Sequence, residues 1–95
     1  STSLSKATLN GYVTPLFGII KMPFEFEIML ATMEGNCINR KTINVEAGSF
    51  EAYEISFYDL IKIYYSPDVA NIIKLEVDYE GMTINAELKE TNYGE

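Results

Sequence analysis

The sequence contains no histidine, no tryptophan and a single cysteine among its 95 residues. Without histidine, the chain lacks the side chain that most often serves as a general base and as a metal ligand. Cys37 has no second cysteine with which to form a disulfide, and its strand-like neighbours favour a small buried thiol over a reactive one. These absences predict a protein that is not an enzyme and that holds no cofactor and no metal.

Positive charge is also scarce. Seven lysine and arginine residues stand against fourteen acidic residues, which gives a net charge of −7. Arg40 and Lys41 are the one adjacent pair of cations in the sequence, so no basic patch is present to bind a phosphate backbone, and we expect no nucleic-acid partner. The most apolar stretch, residues 16–30, is interrupted by charged residues and by Pro23, so no transmembrane segment is expected.

The dominant repeat of the sequence is two residues, which is the period of a β-strand. Phe24, Phe26 and Ile28 alternate with polar residues, and the same alternation runs through residues 50–57 and 73–88. We predict an all-β domain: a curved antiparallel sheet, a half-barrel-like meander of about six to eight strands with at most one short helical turn. At this length residues 1–95 form a single all-β domain, either whole or as the C-terminal part of a longer protein.

Turn residues divide the strands. Glu80-Gly81 predicts a two-residue hairpin loop, and Tyr58-Asp59 and Ala47-Gly48-Ser49 predict further turns. In the first third, the pattern predicts a short strand at residues 12–14, a turn near Pro15 and a second strand at residues 17–20. A turn at residues 34–36 and a corner or one-turn helix at residues 66–68 complete the expected boundaries.

Paired carboxylates are the remaining candidates for chemistry. Glu25 with Glu27, and Glu76 with Asp78, are each two residues apart and so share one face of a strand. Such pairs suit a sugar or a cation, but they are also typical of the solvated face of an amphipathic strand, which is the interpretation we favour. Ser49 has no histidine or nearby lysine to activate it, so a serine hydrolase is not indicated.

Tyrosine is the stronger clue to a binding surface. Tyrosine combines apolar bulk with a polar tip, and several tyrosines fall within one continuous region of the expected sheet. On the concave face of a curved sheet they could line a ligand groove, although they could equally form the core beneath the sheet. Adjacent tyrosines must point to opposite faces, so one of the two faces is aromatic without being the main core. The candidate ligand-binding residues are Tyr53, Phe57, Ile63, Tyr64, Tyr65 and Met82.

Two segments resemble a known family. Residues 45–53, Val-Glu-Ala-Gly-Ser-Phe-Glu-Ala-Tyr, are similar to the V-P-A-G-T-F-x-x-Y strand of TapB-like proteins, a poorly characterised group of bacterial envelope proteins and lipoproteins. Residues 63–69, Ile-Tyr-Tyr-Ser-Pro-Asp-Val, are similar to the W/Y-Y-S-P-E-V-G segment of the same family. The resemblance extends over residues 38–93. It departs from the family pattern at Glu46, where the family has proline, and at Ala70-Asn71, where it has glycine.

The resemblance implies an extracytoplasmic protein, in the periplasm or cell envelope, with a strongly curved antiparallel sheet like an open half-barrel. It implies no particular activity. Since family members are generally longer, it also implies that this chain is a C-terminal portion.

Two functions are therefore expected. The first is a non-enzymatic structural or assembly module that pairs with a second copy, as a homo-oligomer, or with another envelope protein through its strand edges or an aromatic sheet face. The alternative is an envelope binding module that holds an apolar or amphipathic small molecule on the concave face. An enzyme ranks last because the residues that carry most catalysis are missing or unclustered.

Overall fold

The protein is described here by a computed structural model that covers residues 4–31 and 40–93. Within these ranges, the chain forms seven β-strands and one short 3₁₀ turn at Leu16–Gly18. The strands are β1 (Leu4–Thr14), β2 (Met22–Ala31), β3 (Lys41–Val45), β4 (Gly48–Phe57), β5 (Ile61–Ser66), β6 (Asn71–Tyr79) and β7 (Met82–Thr91). The all-β prediction is confirmed.

All seven strands belong to one open antiparallel sheet with the order β2-β1-β7-β6-β5-β4-β3. Consecutive strands pair with each other, except for β2 and β3, which form the two opposite edges; β7 closes the order by pairing with β1. The sheet is curved. The Ala47 N–H donates to the Leu88 carbonyl across 3.0 Å, although three strands separate β3 from β7 in the sheet order.

The hairpins follow the turn chemistry of the sequence. Tyr79 pairs with Met82 around Glu80 and Gly81, which both have positive φ angles, so the predicted two-residue hairpin loop is confirmed. Tyr58 and Asp59 form the predicted turn between β4 and β5, also with positive φ angles. The turn between β3 and β4 is centred one residue earlier than expected, on Glu46 and Ala47, and Gly48 already begins β4 with a φ of 138°.

The buried residues concentrate at one end of the sheet, which we call the packed end. It carries the β3–β4 turn, the β5–β6 corner and the start of β1. Leu9, Ile73 and Leu88 are fully buried there. The other buried residues are Ser5, Ala7, Ala52, Tyr53, Tyr64, Ser66, Val69, Ala70, Asn71 and Ala86.

Side-chain hydrogen bonds tie the packed end together. The Asn71 Nδ2 group donates to the carbonyls of Ser5 at 3.2 Å and Ile28 at 2.9 Å, which links the start of β6 to β1 and β2. The Ser5 hydroxyl donates to the Val69 carbonyl across 2.6 Å. These bonds join strands that are not neighbours in the sheet, and they hold its curvature where the core lies.

Of two expectations for the first third of the chain, one is too short and one is wrong. Residues 12–14 are strand as predicted, but they are the end of β1, an eleven-residue strand whose buried positions near its start hold small residues such as Ser5 and Ala7. Residues 17–20 do not form a strand; Leu16, Phe17 and Gly18 all have left-handed φ angles and form an exposed turn. The prediction was wrong because it gave more weight to the apolar residues of this segment than to Gly18.

The remaining boundary predictions have mixed outcomes. The corner after β5 is a series of turns without a helix, in which the Asp68 N–H donates to the Ser66 hydroxyl across 3.1 Å. The predicted turn at residues 34–36 and the expected buried thiol of Cys37 lie outside the described residues.

Candidate functional site

One face of the sheet is apolar across β4 to β7, and three of its nine members, Ile55, Phe57 and Tyr79, are exposed while the other six are half-buried. Because directly paired residues of neighbouring strands share a face, the register places Phe57, Ile61 and Val77 side by side, with Ile84 next in the row. We call this surface the apolar face. It consists of Ile55, Phe57, Ile61, Ile63, Leu75, Val77, Tyr79, Met82 and Ile84.

The apolar face is open toward the end of the sheet opposite to the packed end, which we call the open end. The open end carries the β1–β2 loop, the β4–β5 turn and the β6–β7 turn. The exposed fraction is 45% for Ile55, 46% for Phe57 and 49% for Tyr79, although all three lie on regular strands. A sheet face of this composition is normally covered by a second layer of structure.

The opposite face of the same strands is polar. Its members alternate with those of the apolar face, and charged residues from neighbouring strands stand opposite each other, as in the pairs of Lys62 with Glu76 and of Lys74 with Glu87. We call it the polar face. It consists of Glu54, Ser56, Lys62, Tyr64, Lys74, Glu76, Asp78, Thr83, Asn85 and Glu87.

The sheet brings together five of the six candidate residues. By register, Phe57, Ile63 and Met82 belong to the apolar face, and Tyr53 and Tyr65 pair with each other on the same side nearer to the packed end. Tyr53 is buried and Tyr65 is half-buried. The sixth residue, Tyr64, points to the polar face, as expected for the neighbour of Tyr65 along a strand.

Tyr64 belongs to a hydrogen-bonded group on the polar face. Its hydroxyl donates to the Glu54 carboxylate across 3.0 Å, and the Lys41 ammonium contacts the same oxygen at 3.2 Å. The bond from Tyr64, followed by that from Lys41, lowers the pKa of Glu54 below its usual value. Burial, followed by hydrogen bonding to Glu76 and Glu54, raises the pKa of Tyr64. Tyr64 therefore stays protonated, and its hydrogen bond to Glu54 gives it a structural role.

An apolar loop extends the apolar surface beyond the strands at the open end. We use this name for residues 16–20, Leu-Phe-Gly-Ile-Ile, between β1 and β2. Phe17 and Ile19 are 85% and 81% exposed. The Phe17 N–H donates to the Gly81 carbonyl across 2.7 Å, which fixes the loop against the β6–β7 turn and thus beside the apolar face. Sequence reasoning assigned this segment to a strand and so missed it as a surface feature.

A groove of about 770 Å³ lies on the other side of the sheet, over β1, β2, β6 and β7. Its walls include Asn10, Tyr12, Lys74 and Glu87, with Glu46 of the β3–β4 turn reaching over it. The groove follows from the curvature that brings the β3–β4 turn to β7, a long-range contact that the sequence pattern does not reveal.

Glu25 and Glu27, one of the two predicted carboxylate pairs, each form an ion pair with a lysine. Glu25 pairs with Lys89 at 2.9 Å, and Glu27 pairs with Lys6 at 3.1 Å, in both cases on the surface. Across residues 4–31 and 40–93, no three residues of the types histidine, cysteine, aspartate and glutamate come close enough together to hold a metal ion. The same part of the chain contains no helix long and apolar enough to cross a membrane.

No family model matches the chain, and neither a curated protein nor a solved structure is significantly similar to it. The TapB-like resemblance therefore stays a prediction.

Proposed function

We propose that this chain is a non-enzymatic assembly module of the cell envelope that docks another envelope protein on its apolar face. The observation that carries the proposal is the position of this face: it continues the core of the packed end, but toward the open end its members Ile55, Phe57 and Tyr79 are exposed. Burying it against a partner would remove apolar surface from water at a gain of roughly 25 cal/mol per Å².

The grouping of the exposed apolar side chains fits a protein partner. Ten large apolar side chains toward the open end are exposed; three belong to the apolar face, and the others lie in the apolar loop, at the start of β2 and in the β4–β5 turn. Exposed apolar side chains that gather on neighbouring elements are typical of a protein interaction surface. The ten side chains are Leu16, Phe17, Ile19, Ile20, Met22, Ile55, Phe57, Tyr58, Leu60 and Tyr79.

The alternative, a small apolar or amphipathic ligand on the same face, has less support. Small ligands are usually held in concave sites that enclose most of their surface. The 770 Å³ groove lies on the side of Lys74 and Glu87, and its lining mixes charged and amide groups with apolar residues such as Tyr12 and Phe24, so a ligand held there would not occupy the apolar face. A broad open face suits a broad protein surface better than a small molecule.

The envelope location rests on the TapB-like resemblance of residues 45–53 and 63–69. The proposed absence of enzymatic activity rests on the composition, which includes no histidine, and on the surface ion pairs of Glu25 with Lys89 and of Glu27 with Lys6. Fractionation of the cells that naturally make the chain tests the location independently of the docking surface.

Site-specific photo-cross-linking tests the docking surface. A photoreactive phenylalanine analogue is placed at Phe57, on the apolar face, or at Ser56, its exposed neighbour on the polar face. In the producing cells, we expect a protein adduct of defined mass from position 57 and none from position 56, and mass spectrometry then identifies the captured protein.

Three results would contradict the proposal or replace it. Equal capture from both positions would mean that the partner does not bind the apolar face in preference to the polar face. A lipid or other small-molecule adduct at position 57, together with a co-purified molecule in a native mass spectrum, would favour the ligand-binding alternative. An adduct of the chain with itself would make a second copy the occupant.

A further inference from the structure

We propose that the 770 Å³ groove is a binding site for a neutral, polyhydroxylated ligand, namely a short saccharide. The groove lies on the other side of the sheet from the apolar face, so this inference goes beyond the proposed docking function and does not depend on it. Three observations carry it: a row of polar side chains across four strands, the lack of protein partners along that row, and the walls that make the surface concave.

Four neighbouring strands contribute one polar side chain each to the row. The register pairs Glu25 with Asn10 and Asn10 with Glu87. It also pairs Glu87 with Lys74, so the row runs across one face of β2, β1, β7 and β6. Adjacent strands are about 4.8 Å apart, which gives the row a length of about 14 Å. The next row on the same face consists of Pro23, Tyr12 and Asn85.

Three members of the row are available to a ligand. Asn10, Lys74 and Glu87 are half-buried. Among residues 4–31 and 40–93, none of these three side chains forms a hydrogen bond or an ion pair. The fourth member, Glu25, pairs with Lys89 at 2.9 Å. An amide, an ammonium and a carboxylate in one row together offer both donors and acceptors of hydrogen bonds.

The β3–β4 turn and Tyr12 make the surface concave. The hydrogen bond from the Ala47 N–H to the Leu88 carbonyl holds the turn against β7, so that Glu46 lines the groove. Tyr12 also lines it and is 45% exposed. The Lys21 ammonium lies 4.1 Å from the centre of the Tyr12 ring, on an exposed and flexible side chain that a ligand can displace. The volume of the groove falls within the usual range for small-molecule sites, about 300–1,000 Å³.

The charges of the groove disfavour an ionic ligand. Lys74 stands opposite Glu87, and Lys89 pairs with Glu25, so the lysines offset two of the carboxylates. An anionic ligand would meet the third carboxylate, Glu46, and the overall charge of −7. A ligand with several positive charges would meet the two lysines.

The polar row also disfavours an apolar ligand. Such a ligand would remove Asn10, Lys74 and Glu87 from water without giving them hydrogen-bond partners, which is costly. The hydroxyl groups of a saccharide both donate and accept hydrogen bonds, and so they can bond to all three groups. The C–H face of a sugar ring is apolar and can pack against an aromatic ring such as that of Tyr12. A row of about 14 Å is long enough for a short chain of linked sugar rings.

NMR titration of the isotope-labelled chain tests the site. The neutral probes are trisaccharides of glucose, of galactose, of mannose and of N-acetylglucosamine; trigalacturonate is the anionic probe and spermidine the cationic probe. We expect at least one neutral trisaccharide to cause saturable shifts of the side-chain amide signals of Asn10 and Asn85, and neither charged probe to do so. The same spectra show whether each variant is folded.

Three variants locate the bound sugar. Asn10→Ala and Glu87→Ala each remove hydrogen-bonding groups from the row and should weaken binding about fivefold or more. Glu90→Ala is the matched control for Glu87→Ala, because Glu90 lies on the same strand but does not line the groove, and it should change binding little. Phe57→Ser, on the apolar face, should leave sugar binding unchanged.

Four results would overturn this inference. They are the absence of saturable shifts with all four neutral sugars, stronger binding of spermidine or trigalacturonate than of any sugar, equal losses in Glu87→Ala and Glu90→Ala, and loss of sugar binding in Phe57→Ser. None of the first three bears on the docking surface. Conversely, a failure of photo-cross-linking at Phe57 would contradict the proposed function and leave the saccharide site intact.

Discussion

Gly11 lies where β1 and β7 approach each other most closely. It pairs with Ala86, and a Cβ atom on it would lie 1.7 Å from the Asn85 carbonyl oxygen and 2.5 Å from the Ala86 Cα atom. Both are backbone atoms that cannot rotate away. The absence of a side chain is therefore required by the spacing of two central strands and not by a special φ angle.

Gly11→Ala should destabilise the fold by about 3 kcal/mol or more, because the two strands must separate to admit the methyl group. Gly18→Ala is the matched control: its φ of 85° is unfavourable for alanine, but no atom lies within 4 Å of the new Cβ, so about 1 kcal/mol is expected. Urea unfolding measures both. Equal losses would show that the close approach at Gly11 does not exist.

Tyr64→Phe removes the hydroxyl that bonds to Glu54 and should cost about 1–2 kcal/mol at neutral pH. It should also raise the pKa of Glu54 toward its usual value of 4.5, which carboxyl NMR detects. Tyr65→Phe is the control, since the Tyr65 hydroxyl has no part in the Glu54 group and its removal should leave that pKa unchanged.

The pH dependence of Tyr64→Phe has a definite sign. Because the pKa of Tyr64 is raised on folding, its contribution to stability is fully present below the ordinary tyrosine value of 10.0 and is lost as the pH rises above it. Replacing Tyr64 should therefore make the alkaline loss of stability less steep. The lowered pKa of Glu54 matters at acidic pH: the contribution of Glu54 to the stability of the fold disappears as the pH falls below 4.5. An unchanged alkaline limb would contradict the burial of Tyr64.

At the scale of elements, Asn71 connects the β5–β6 corner with β1 and β2. Its amide donates to the carbonyls of Ser5 and Ile28, and its Oδ1 atom accepts from the Ile72 N–H at 2.7 Å. Asn71 is fully buried, so these bonds form away from water. Of all the side chains at the packed end, this one links the largest number of strands.

Asn71→Ala should destabilise the fold by about 3 kcal/mol, since it leaves buried backbone groups without partners. Asn85→Ala, at an exposed position of the polar face, should cost less than about 0.5 kcal/mol. Chemical denaturation of the two variants gives the comparison. A small effect at Asn71 would mean that the packed end is held by apolar contacts alone.

Strands with bulky alternating residues were predictable from the sequence, and strands with small residues were not. The hairpin of β6 and β7 follows from the alternation on both sides of Glu80-Gly81. Most of β1 escaped prediction because Ser5 and Ala7 owe their burial to their place between β2 and β7 in the sheet and not to their own hydrophobicity.

The same distinction applies to the candidate surface. The ligand-groove hypothesis placed Phe57 and Ile63 on one surface, and alternation predicted that Tyr64 and Tyr65 point to opposite faces. Long-range contacts determine the rest. The contact of Phe17 with Gly81 places the apolar loop beside this face, and the contact of Ala47 with Leu88 creates the groove on the other side of the sheet. These contacts join distant parts of the chain, and no local pattern encodes them.

At the scale of the whole molecule, the sheet has two unequal ends. The packed end contains the buried core and the hydrogen bonds between non-neighbouring strands, and it keeps the fold together. The open end presents apolar side chains such as Phe17, Phe57 and Tyr79 to solvent. We interpret the first as the scaffold and the second as the surface on which the proposed partner docks.

The central claim is that the apolar face is uncovered within a single chain. Comparing Leu88→Ala with Phe57→Ala by urea unfolding over a range of protein concentrations tests it most directly. Leu88 is fully buried and Phe57 is 46% exposed, so we expect losses of about 2–5 kcal/mol for Leu88→Ala and about 1 kcal/mol or less for Phe57→Ala. A loss at Phe57 as large as that at Leu88, independent of protein concentration, would mean that the chain already covers this face and would contradict the account.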